Sequence, residues 1–360
     1  MKGPSLDALR RHAVARSLFR ATTLQRALNT FGFVQADPIR APARAQDLTL
    51  RHRVTGYRAG MLEQRYAALR ADEDVFINYG FVTPALHALM HPRGLVGWPA
   101  ARRKKADELL AFVRARVAVH PREVEQHFAH GQVTNYWGGS SNATTHLLDQ
   151  MHYAGLLKVV RRDSGVRVYG AREPQGPVTR ADADARLDAL VDLLVGKYSP
   201  LPGQTLSMLV RRLRYAVPQL RERIAPALQR AKDRLDHARL DGTDWYWPPG
   251  ERPEASATDD EVRLLAPFDP IVWDRRRFEL FWGWAYRFEA YTPVAKRTLG
   301  YYALPMLWRD RVIGWGNVNV LDGALRAEVG YLNGRAPAAR GFAPALDAEL
   351  GRLRFFLGVG

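Results

Sequence analysis

An amide and a carboxylate two residues apart are the first candidates for chemistry in this sequence. Gln35 and Asp37 lie in the segment FGFVQADPIR, which begins as a short apolar run typical of a β-strand. Side chains at positions i and i+2 of a strand project to the same side, so this pair can flank one small object, such as a water molecule. Pro38 stops further strand pairing and favours a place at an edge or a cleft mouth.

Several arginines follow this pair in the same part of the chain. They are Arg40, Arg44, Arg51 and Arg53. Such a group can grip the phosphates of a duplex without reading its sequence. The alternatives are that the arginines pair with acids such as Asp47 or Glu63, or cover apolar surface with their stems. A Gln-x-Asp pair at the end of a strand, taken alone, is far more often structural or solvated than catalytic, so the basic surroundings carry the prediction of a nucleic-acid site.

Further basic residues that are candidates for contacts with DNA lie beyond residue 160. They are Arg161, Arg162, Arg167, Arg275, Arg276, Arg277, Lys296 and Arg297. The first three belong to a predicted hairpin, where arginines are also common on solvated surfaces. The arginines at 275–277 precede Trp282, Trp284 and Tyr286. This aromatic spacing fits stacking on unpaired bases, but we favour the core face of a strand.

The overall charge indicates a polyanionic partner. Lys and Arg number 53 against 37 Asp and Glu, which gives a formal net charge of +16. The basic residues recur along the chain without a homopolymeric run, as expected for a folded cationic surface. Nucleic acid is favoured over a membrane, because no stretch approaches the roughly 18 apolar residues of a spanning helix. We expect no obligate protein partner.

Several chemistries are excluded or poorly supported. The absence of cysteine excludes disulfides, thiolate zinc sites and iron–sulfur clusters. The sequence has neither a phosphate-binding glycine loop nor a G-x-S-x-G elbow. His87 with His91 and His127 with His130 have helical spacing. No nearby carboxylate completes a ligand set, so we expect ordinary surface or interface histidines, and neither a metal nor a cofactor.

The first residues alternate charged and apolar side chains, which is unlike the continuous apolar centre of a secretory signal. We therefore expect a cytoplasmic protein. The high usage of Ala and Arg favours a bacterial source, and the positive charge favours association with the nucleoid.

The pattern of helices and hairpins predicts successive winged-helix units. Residues 101–175 show three helical segments and then KVVRRDSGVRVYGA, a hairpin with an Asp-Ser-Gly turn. Residues 183–250 repeat this order and end in a hairpin with an Asp-Gly turn. Residues 1–100 contain two helices followed by the strand with Gln35 and Asp37. Residues 262–360 are β-rich, with runs such as AYRFEAYTP and RVIGWGNVNVL, and close with a helix.

Two long segments resemble a known family. FVQADPIRAPARAQDLTLRHRV and LLAPFDPIVWDRRRFELFWGWAYRFEAYTPVAKRTLGYYALPML are similar to the AlkZ/YcaQ family of bacterial winged-helix DNA glycosylases. The order Gln, apolar residue, Asp resembles the YcaQ-type branch, whereas the AlkZ branch carries Gln in place of the Asp. The segment VFINYG also resembles the family, which adds Tyr79 to the candidate DNA contacts. The resemblance covers nearly the whole chain.

The resemblance implies an α+β fold, with tandem winged-helix units in a curved scaffold and a C-terminal β-barrel-like domain. It implies hydrolysis of the N-glycosidic bond of N7-alkylated purines in double-stranded DNA, including the unhooking of nitrogen-mustard-type interstrand crosslinks. Asp37 is then the candidate for stabilising the positive charge on the sugar, and Gln35 for orienting the water. No lysine lies beside Asp37 in the sequence, so we expect a monofunctional glycosylase that leaves an abasic site.

Two functions from other classes remain open at this point. A winged-helix regulator would bind DNA tightly and sequence-specifically without releasing a base, but it has no evident need for a carboxylate facing the backbone. An RNA-binding β-barrel protein is the weaker alternative. The sequence does not distinguish between crosslinks and monoadducts as the preferred substrate, and it does not predict which winged helix makes the main contacts.

Overall fold

A computed structural model describes residues 3–95, 97–128, 131–134, 140–173, 176, 179–253 and 258–360. Its first part is a mixed α and β region whose helices begin at polar caps. The side chain of Ser5 accepts a hydrogen bond from the Ala8 N–H (3.2 Å), and that of Thr23 accepts one from the Arg26 N–H (3.3 Å). The elements are α1 (Leu6–Ser17), α2 (Leu24–Phe31), β1 (Phe33–Gln35), α3 (Ala45–Leu50), α4 (Met61–Arg65), a 3₁₀ turn (Tyr66–Ala68), β2 (Asp72–Val75), β3 (Tyr79–Val82) and α5 (Pro84–Met90).

The strand that ends at Gln35 is an edge strand of a small antiparallel sheet. The order is β1-β3-β2, and Gln35 lies opposite Gly80. A Cβ atom at Gly80 would lie 2.3 Å from the carbonyl oxygen of Val34, so only glycine allows β3 to run this close to β1. The predicted edge position of β1 is confirmed.

The second region has the predicted order of three helices and a hairpin. The turn of the hairpin contains Ser164 and Gly165, both with positive φ (51° and 88°). The elements are α6 (Ala100–Arg116), α7 (Pro121–His127), β4 (Gln132–Thr134), β5 (Ser140–Asn142), α8 (Ala143–Ala154), β6 (Leu157–Asp163) and β7 (Val166–Ala171).

The third region repeats this order. Its hairpin turns at Asp241 and Gly242, with φ values of 47° and 75°, as the sequence predicts. The elements are α9 (Arg180–Tyr198), β8 (Leu201–Pro202), α10 (Gly203–Ala216), a 3₁₀ segment (Pro218–Arg223), α11 (Ile224–Arg234), β9 (Asp236–Leu240) and β10 (Thr243–Trp247).

The C-terminal region contains an antiparallel sheet of four strands in sequence order, curled into a half-barrel. Its elements are β11 (Val262–Leu264), α12 (Arg275–Trp282), a 3₁₀ turn (Val294–Lys296), β12 (Leu304–Trp308), β13 (Arg311–Leu321), β14 (Ala324–Tyr331) and α13 (Phe342–Leu357). The predicted closing helix is confirmed. Within the described ranges, no helix is long and apolar enough to cross a membrane.

One strand prediction in this region is wrong. AYRFEAYTP forms irregular chain, because Gly283 ends α12 in the left-handed conformation (φ +67°) and the aromatic residues then turn inward. The Trp284 and Tyr286 rings lie 5.9 and 5.7 Å from the Phe278 ring. Tyr286 is 1 % exposed, so the core interpretation of these aromatic residues is confirmed although the strand is not.

Residues from the first, second and C-terminal regions pack in one apolar cluster. One apolar cluster contains Val34 of β1, Leu148 of α8, Leu304 of β12 and Phe356 of α13. The strand that carries Gln35 is thus supported from three parts of the chain. The predicted boundaries near residues 100, 175 and 250 stay a prediction.

Candidate active site

Gln35 is the last residue of β1, and its amide is held from two sides. Its Oε1 accepts hydrogen bonds from Asn78 Nδ2 and from Trp273 Nε1, each at 2.9 Å. Arg212 on α10 supports this arrangement, since its guanidinium lies 3.4 Å from Asn78 Oδ1 and 5.7 Å from the Trp273 ring centroid. With its oxygen engaged, the Gln35 side chain offers its amino group as a donor.

Asp37 follows two residues beyond, outside the strand. Its N–H donates to Gln46 Oε1 (3.2 Å), and its Oδ1 accepts a hydrogen bond from the Ile39 N–H (2.9 Å). This Asx-type turn fixes the orientation of the carboxylate. Burial raises the pKa of Asp37 above its usual value, and the hydrogen bond from Ile39 offsets part of this shift. No basic side chain of the described residues forms an ion pair with the carboxylate.

The half-buried Asp37 lines a cavity between the end of β1 and the β6–β7 hairpin. Its volume is about 460 Å³, within the range of roughly 300–1,000 Å³ that small-molecule sites occupy. The side chains around it include Arg44, Gln46, Glu63, Tyr79, Arg162, Arg167 and Tyr169. Four of the predicted DNA-contacting residues, Arg44, Tyr79, Arg162 and Arg167, therefore lie together with the predicted catalytic carboxylate.

The positive charges of this cavity are partly balanced by acids behind them. Arg44 forms an ion pair with Glu63. Arg162 Nε lies 2.7 Å from Glu73 Oε1, and the Tyr79 hydroxyl donates to Glu73 Oε2, also at 2.7 Å. Glu73 is buried, so it fixes Arg162 and Tyr79 in place at the cavity wall.

Arg167 completes this wall. It lies 5.3 Å from the centroid of the Tyr79 ring and 2.9 Å from Asp149 Oδ1. Burial lowers the pKa of Arg44, and the positive charges of Arg40 and Arg162 lower it further, so these three guanidinium groups lie within electrostatic reach of one another. The cavity wall thus contains several cations whose charges are only partly balanced by acids, and an anionic phosphate would stabilise them.

Other predicted DNA contacts lie on the surface. Arg40, Arg276 and Lys296 are exposed, and none of their side chains forms an ion pair with a residue that the structure describes. Arg161 is also exposed and pairs with Asp163 (3.0 Å). Arg297 donates to the Thr292 carbonyl oxygen at 2.8 Å. All five keep a position from which they can contact a polyanion.

The prediction that Arg51 and Arg53 bind DNA is wrong, because both side chains are in the interior. Arg51 donates to Glu349 Oε1 (2.5 Å) and to the Leu264 carbonyl oxygen (2.9 Å), and its side chain is 3 % exposed. Arg53 is fully buried and makes a two-pronged contact with Asp269 at 2.7 and 3.0 Å. These two arginines connect the α3 segment to the C-terminal region.

The prediction for Arg275 and Arg277 is wrong for a similar reason. Arg275 donates to the carbonyl oxygens of Val272 (2.7 Å) and Pro267 (3.0 Å). Arg277 is buried and donates to the Tyr198 carbonyl oxygen. Their guanidinium groups thus satisfy backbone carbonyls of the 267–272 segment and of α9, and they are engaged inside the fold.

His87 and His91 are not the surface residues that the sequence predicts. Both are buried, and their rings stack at 4.1 Å. Asp74 supplies the carboxylate that no neighbour in sequence supplies, and the candidate ligand atoms of these three residues lie within 4.8 Å of one another. Asp74 already accepts from His91 (2.7 Å) and from Arg93 (2.7 Å). The cation of Arg93 makes this a buried hydrogen-bonded cluster rather than a good metal site.

The second histidine pair differs. His127 is exposed and stacks on Phe112 with ring centroids 4.6 Å apart, as expected for an ordinary surface residue. His130 lies outside the described residues.

Four residues near the candidate pair were missed by the sequence analysis. Gln46, Asn78 and Trp273 hold Asp37 and Gln35, as described above. Tyr302 is buried, its hydroxyl forms no hydrogen bond with the described residues, and both burial and the negative charge of Asp37 raise its pKa. Gln46 and Asn78 lie within 45 residues of Gln35 in the sequence, whereas Trp273 and Tyr302 come from the C-terminal region and gave no local signal.

Comparison with known proteins identifies the family of the chain. The family model "DNA glycosylase AlkZ-like" matches residues 28–356, which include both Gln35 and Asp37. The chain belongs to the AlkZ-like DNA glycosylase family. The family supports a DNA glycosylase role, and hence DNA as the partner of the protein.

A solved structure has the same fold. The DNA glycosylase AlkZ from Streptomyces sahachiroi matches with a TM-score of 0.63, over 99 % of this chain and 98 % of that chain. The sequences are 14 % identical, so this structural similarity supports a shared fold and nothing further. The AlkZ-like fold accounts for the helical regions and the C-terminal half-barrel sheet described above.

Proposed function

We propose that this member of the AlkZ-like family hydrolyses the N-glycosidic bond of N7-alkylated purines in duplex DNA, including the unhooking of nitrogen-mustard-type interstrand crosslinks. The observation that carries the proposal is the position of Asp37. Its carboxylate lines the cavity beside Arg44 and Tyr79 without pairing to a cation. A carboxylate that forms no ion pair within the protein can stabilise a positive charge on a substrate.

The chemistry of an N7-alkylpurine suits a single carboxylate. The alkylated base is already cationic, so it departs as a neutral molecule when the bond between N9 and C1′ breaks, and needs no general acid. Positive charge then develops on the sugar. A carboxylate about 4 Å from this charge, at an effective dielectric constant near 20, contributes roughly 4 kcal/mol, or about a thousandfold in rate.

Gln35 positions the water in this proposal. Asn78 and Trp273 fix its amide oxygen, so its amino group can donate to the water while Asp37 accepts a proton from the same molecule. The water oxygen adds to C1′, and its proton passes to the Asp37 carboxylate. The products are a free base and an abasic sugar.

The surroundings of Lys197 support hydrolysis without a covalent enzyme intermediate. This lysine is near β1, and burial lowers its pKa to about 7, a value at which an amine can act as a nucleophile. However, its ammonium group donates to the Phe33 carbonyl oxygen and lies 4.2 Å from the Phe31 ring centroid. Lys197 is not among the residues that line the Asp37 cavity, so we propose a monofunctional glycosylase.

The cations of the cleft are proposed to contact the DNA backbone. Arg44, Arg162 and Arg167 line the cavity, and Arg40 lies on the adjoining surface. We retain Arg161, Arg276, Lys296 and Arg297 as outer contacts, because all four reach the solvent. Phosphate contacts of this kind bring the duplex to the carboxylate and leave base selection to the cationic lesion itself.

The test compares the wild type with Asp37→Asn on duplexes that carry a single N7-methylguanine or a nitrogen-mustard crosslink. The substitution keeps the shape and removes the charge, so base release should fall about a thousandfold while duplex affinity changes little. Products are resolved on a denaturing gel before and after alkali, which distinguishes an abasic site from a cleaved strand. Unchanged release by Asp37→Asn would contradict the proposed mechanism, and tight binding by a wild type that releases no base would favour a DNA-binding regulator.

A further inference from the structure

The loop formed by residues 289–302 exposes large apolar side chains beside the candidate active site. It connects α12 to β12, and Tyr291 and Val294 are 79 % and 76 % exposed. Tyr301, near the end of the same loop, is 44 % exposed. Apolar side chains of this size clustered on one exposed loop mark an interaction site more often than a structural one.

The base of the 289–302 loop is held firmly. The buried carboxylate of Glu289 accepts hydrogen bonds from the N–H groups of Thr298 (2.9 Å), Leu299 (2.8 Å) and Gly300 (3.2 Å). Asn317 on β13 donates from its side chain to the Leu299 carbonyl oxygen (2.7 Å). A loop anchored in this way presents its tip in a fixed geometry, which lowers the entropy lost on binding.

The loop is connected through Phe288 to the apolar cluster that also supports the residue beside Asp37. Phe288 contacts both Tyr291 and Tyr302 edge-on, with ring centroids 6.0 and 5.1 Å apart. Phe288 and Ala36, the neighbour of Asp37, pack against the same apolar cluster. Burial raises the pKa of both tyrosines, and the negative charge of Asp37 raises it further, so the two phenols lie within its electrostatic reach.

Two residues that follow the exposed tip of the loop, which is formed by Tyr291 and Val294, are cationic, and their charge indicates the kind of partner. Lys296 is exposed and its ammonium group forms no ion pair within the described ranges, and the Arg297 guanidinium lies 5.1 Å from the Tyr301 ring centroid. An apolar tip with cations beside it fits duplex DNA, whose stacked bases are apolar and whose phosphates are anionic. Proteins that kink DNA insert apolar side chains between base steps in this way.

We infer that Tyr291 and Val294 insert into the base stack of duplex DNA next to the alkylated nucleotide. This inference rests on the proposed glycosylase activity and deepens it. Partial unstacking exposes C1′ of the lesion to the Asp37 carboxylate, with Lys296 and Arg297 on the adjacent phosphates. It does not require the base to swing out, so it also suits a purine that is tied to the opposite strand.

The experiment measures base release in single turnovers by the full-length wild type and by Tyr291→Ala combined with Val294→Ser. The substrates carry N7-methylguanine in a paired duplex or in the corresponding single strand. The matched control is Val117→Ser, since Val117 is 82 % exposed at the end of α6. Tyr291→Phe keeps the aromatic ring and should behave like the wild type.

The double variant should release the base at least about tenfold more slowly from the duplex, and less than about twofold more slowly from the single strand, which needs no unstacking. An equal loss on both substrates, or no loss on the duplex, would overturn the inference. Thermal unfolding of the variant should match that of the wild type, because the replaced side chains are exposed.

A second measurement separates the inference from the proposed function. A duplex with hydrolysis-resistant 2′-fluorinated N7-methyl-deoxyguanosine carries 2-aminopurine beside the lesion. Binding of the wild type should raise the 2-aminopurine fluorescence, and the double variant at saturation should give less than half of that rise. A wild type that releases no base but raises the fluorescence would refute the glycosylase proposal and support the insertion, whereas equal rises for both proteins would overturn the insertion.

Discussion

The short segment that carries Asp37 sends its arginines to two different environments. Arg40 and Arg44 lie before α3 and face the cleft, whereas Arg51 and Arg53 lie after α3 and face the interior. The helix between them is buried along its whole length. Residues of the same type, thirteen positions apart at most, therefore lie on a cleft surface that we propose to contact DNA and in an interior that joins two parts of the fold.

The difference lies in the acids that each pair meets. Arg53 forms its two-pronged contact with the fully buried Asp269, and Arg51 meets the fully buried Glu349. In the cleft, Arg44 forms an ion pair with the partly exposed Glu63, and Arg40 has no acid partner among the described residues. Among these four arginines, only the two without a buried acid partner keep their charge available to a ligand, so counting arginines in a sequence overstates the surface that can bind DNA.

The largest expected effect concerns the interior pair. Arg53→Met leaves the Asp269 carboxylate buried without its partner, so the free energy of unfolding should fall by about 3–5 kcal/mol. Urea denaturation followed by circular dichroism measures this loss. Arg40→Met, the matched control at the cleft, should leave the midpoint unchanged.

A double variant sharpens this result. Adding Asp269→Asn to Arg53→Met removes the unpaired charge and should restore more than half of the lost stability. A loss below about 1 kcal/mol in Arg53→Met would place this pair among exposed ion pairs and remove the contrast between the two environments.

The comparison also explains which parts of the fold the sequence predicts. The two helices predicted before the strand with Gln35 and the hairpin turn at Asp241 and Gly242 depend on local signals, and the structure has the corresponding elements in place. The prediction of a strand over AYRFEAYTP is wrong because two different structures produce the same alternation of aromatic residues. A strand with one buried face and an irregular segment wrapped around Phe278 both bury every second side chain.

The candidate site was predictable only in part for the same reason. Gln35 and Asp37 carry a local pattern, but one of the two hydrogen bonds that hold the Gln35 amide comes from Trp273, more than 200 residues away. The burial of Arg53 depends on Asp269, which is equally remote. Long-range partners decide whether a polar side chain is a ligand contact or an internal bridge, and no short segment encodes them.

An intermediate effect concerns the ionisation of the cleft carboxylate. Catalysis in the proposed mechanism needs Asp37 in its charged form, and burial raises the pKa of Asp37 above the usual value. Base release should therefore be constant at higher pH and fall about tenfold per pH unit once the pH drops below this raised pKa. Single-turnover release of N7-methylguanine, corrected for spontaneous loss, gives the profile.

Duplex binding and circular dichroism at each pH serve as controls, since unfolding would also abolish release. The interior carboxylates do not line the cleft, so they should not add a second step while the protein stays folded. A rate that stays flat until the acid unfolding transition would show that Asp37 need not be ionised.

The smallest expected effect concerns a single exposed cation at the cleft. Each contacted phosphate contributes a slope of about −0.9 to a plot of log affinity against log salt concentration, so Arg40→Ala should make the measured slope shallower by about 0.9. The free energy of unfolding should not change, in contrast to Arg53→Met. Lys104→Ala removes the same charge from an exposed position on α6 and should leave the slope unaltered. Equal slopes for Arg40→Ala and the wild type would mean that Arg40 does not contact a phosphate, and the path of the duplex would then have to follow the hairpin arginines instead.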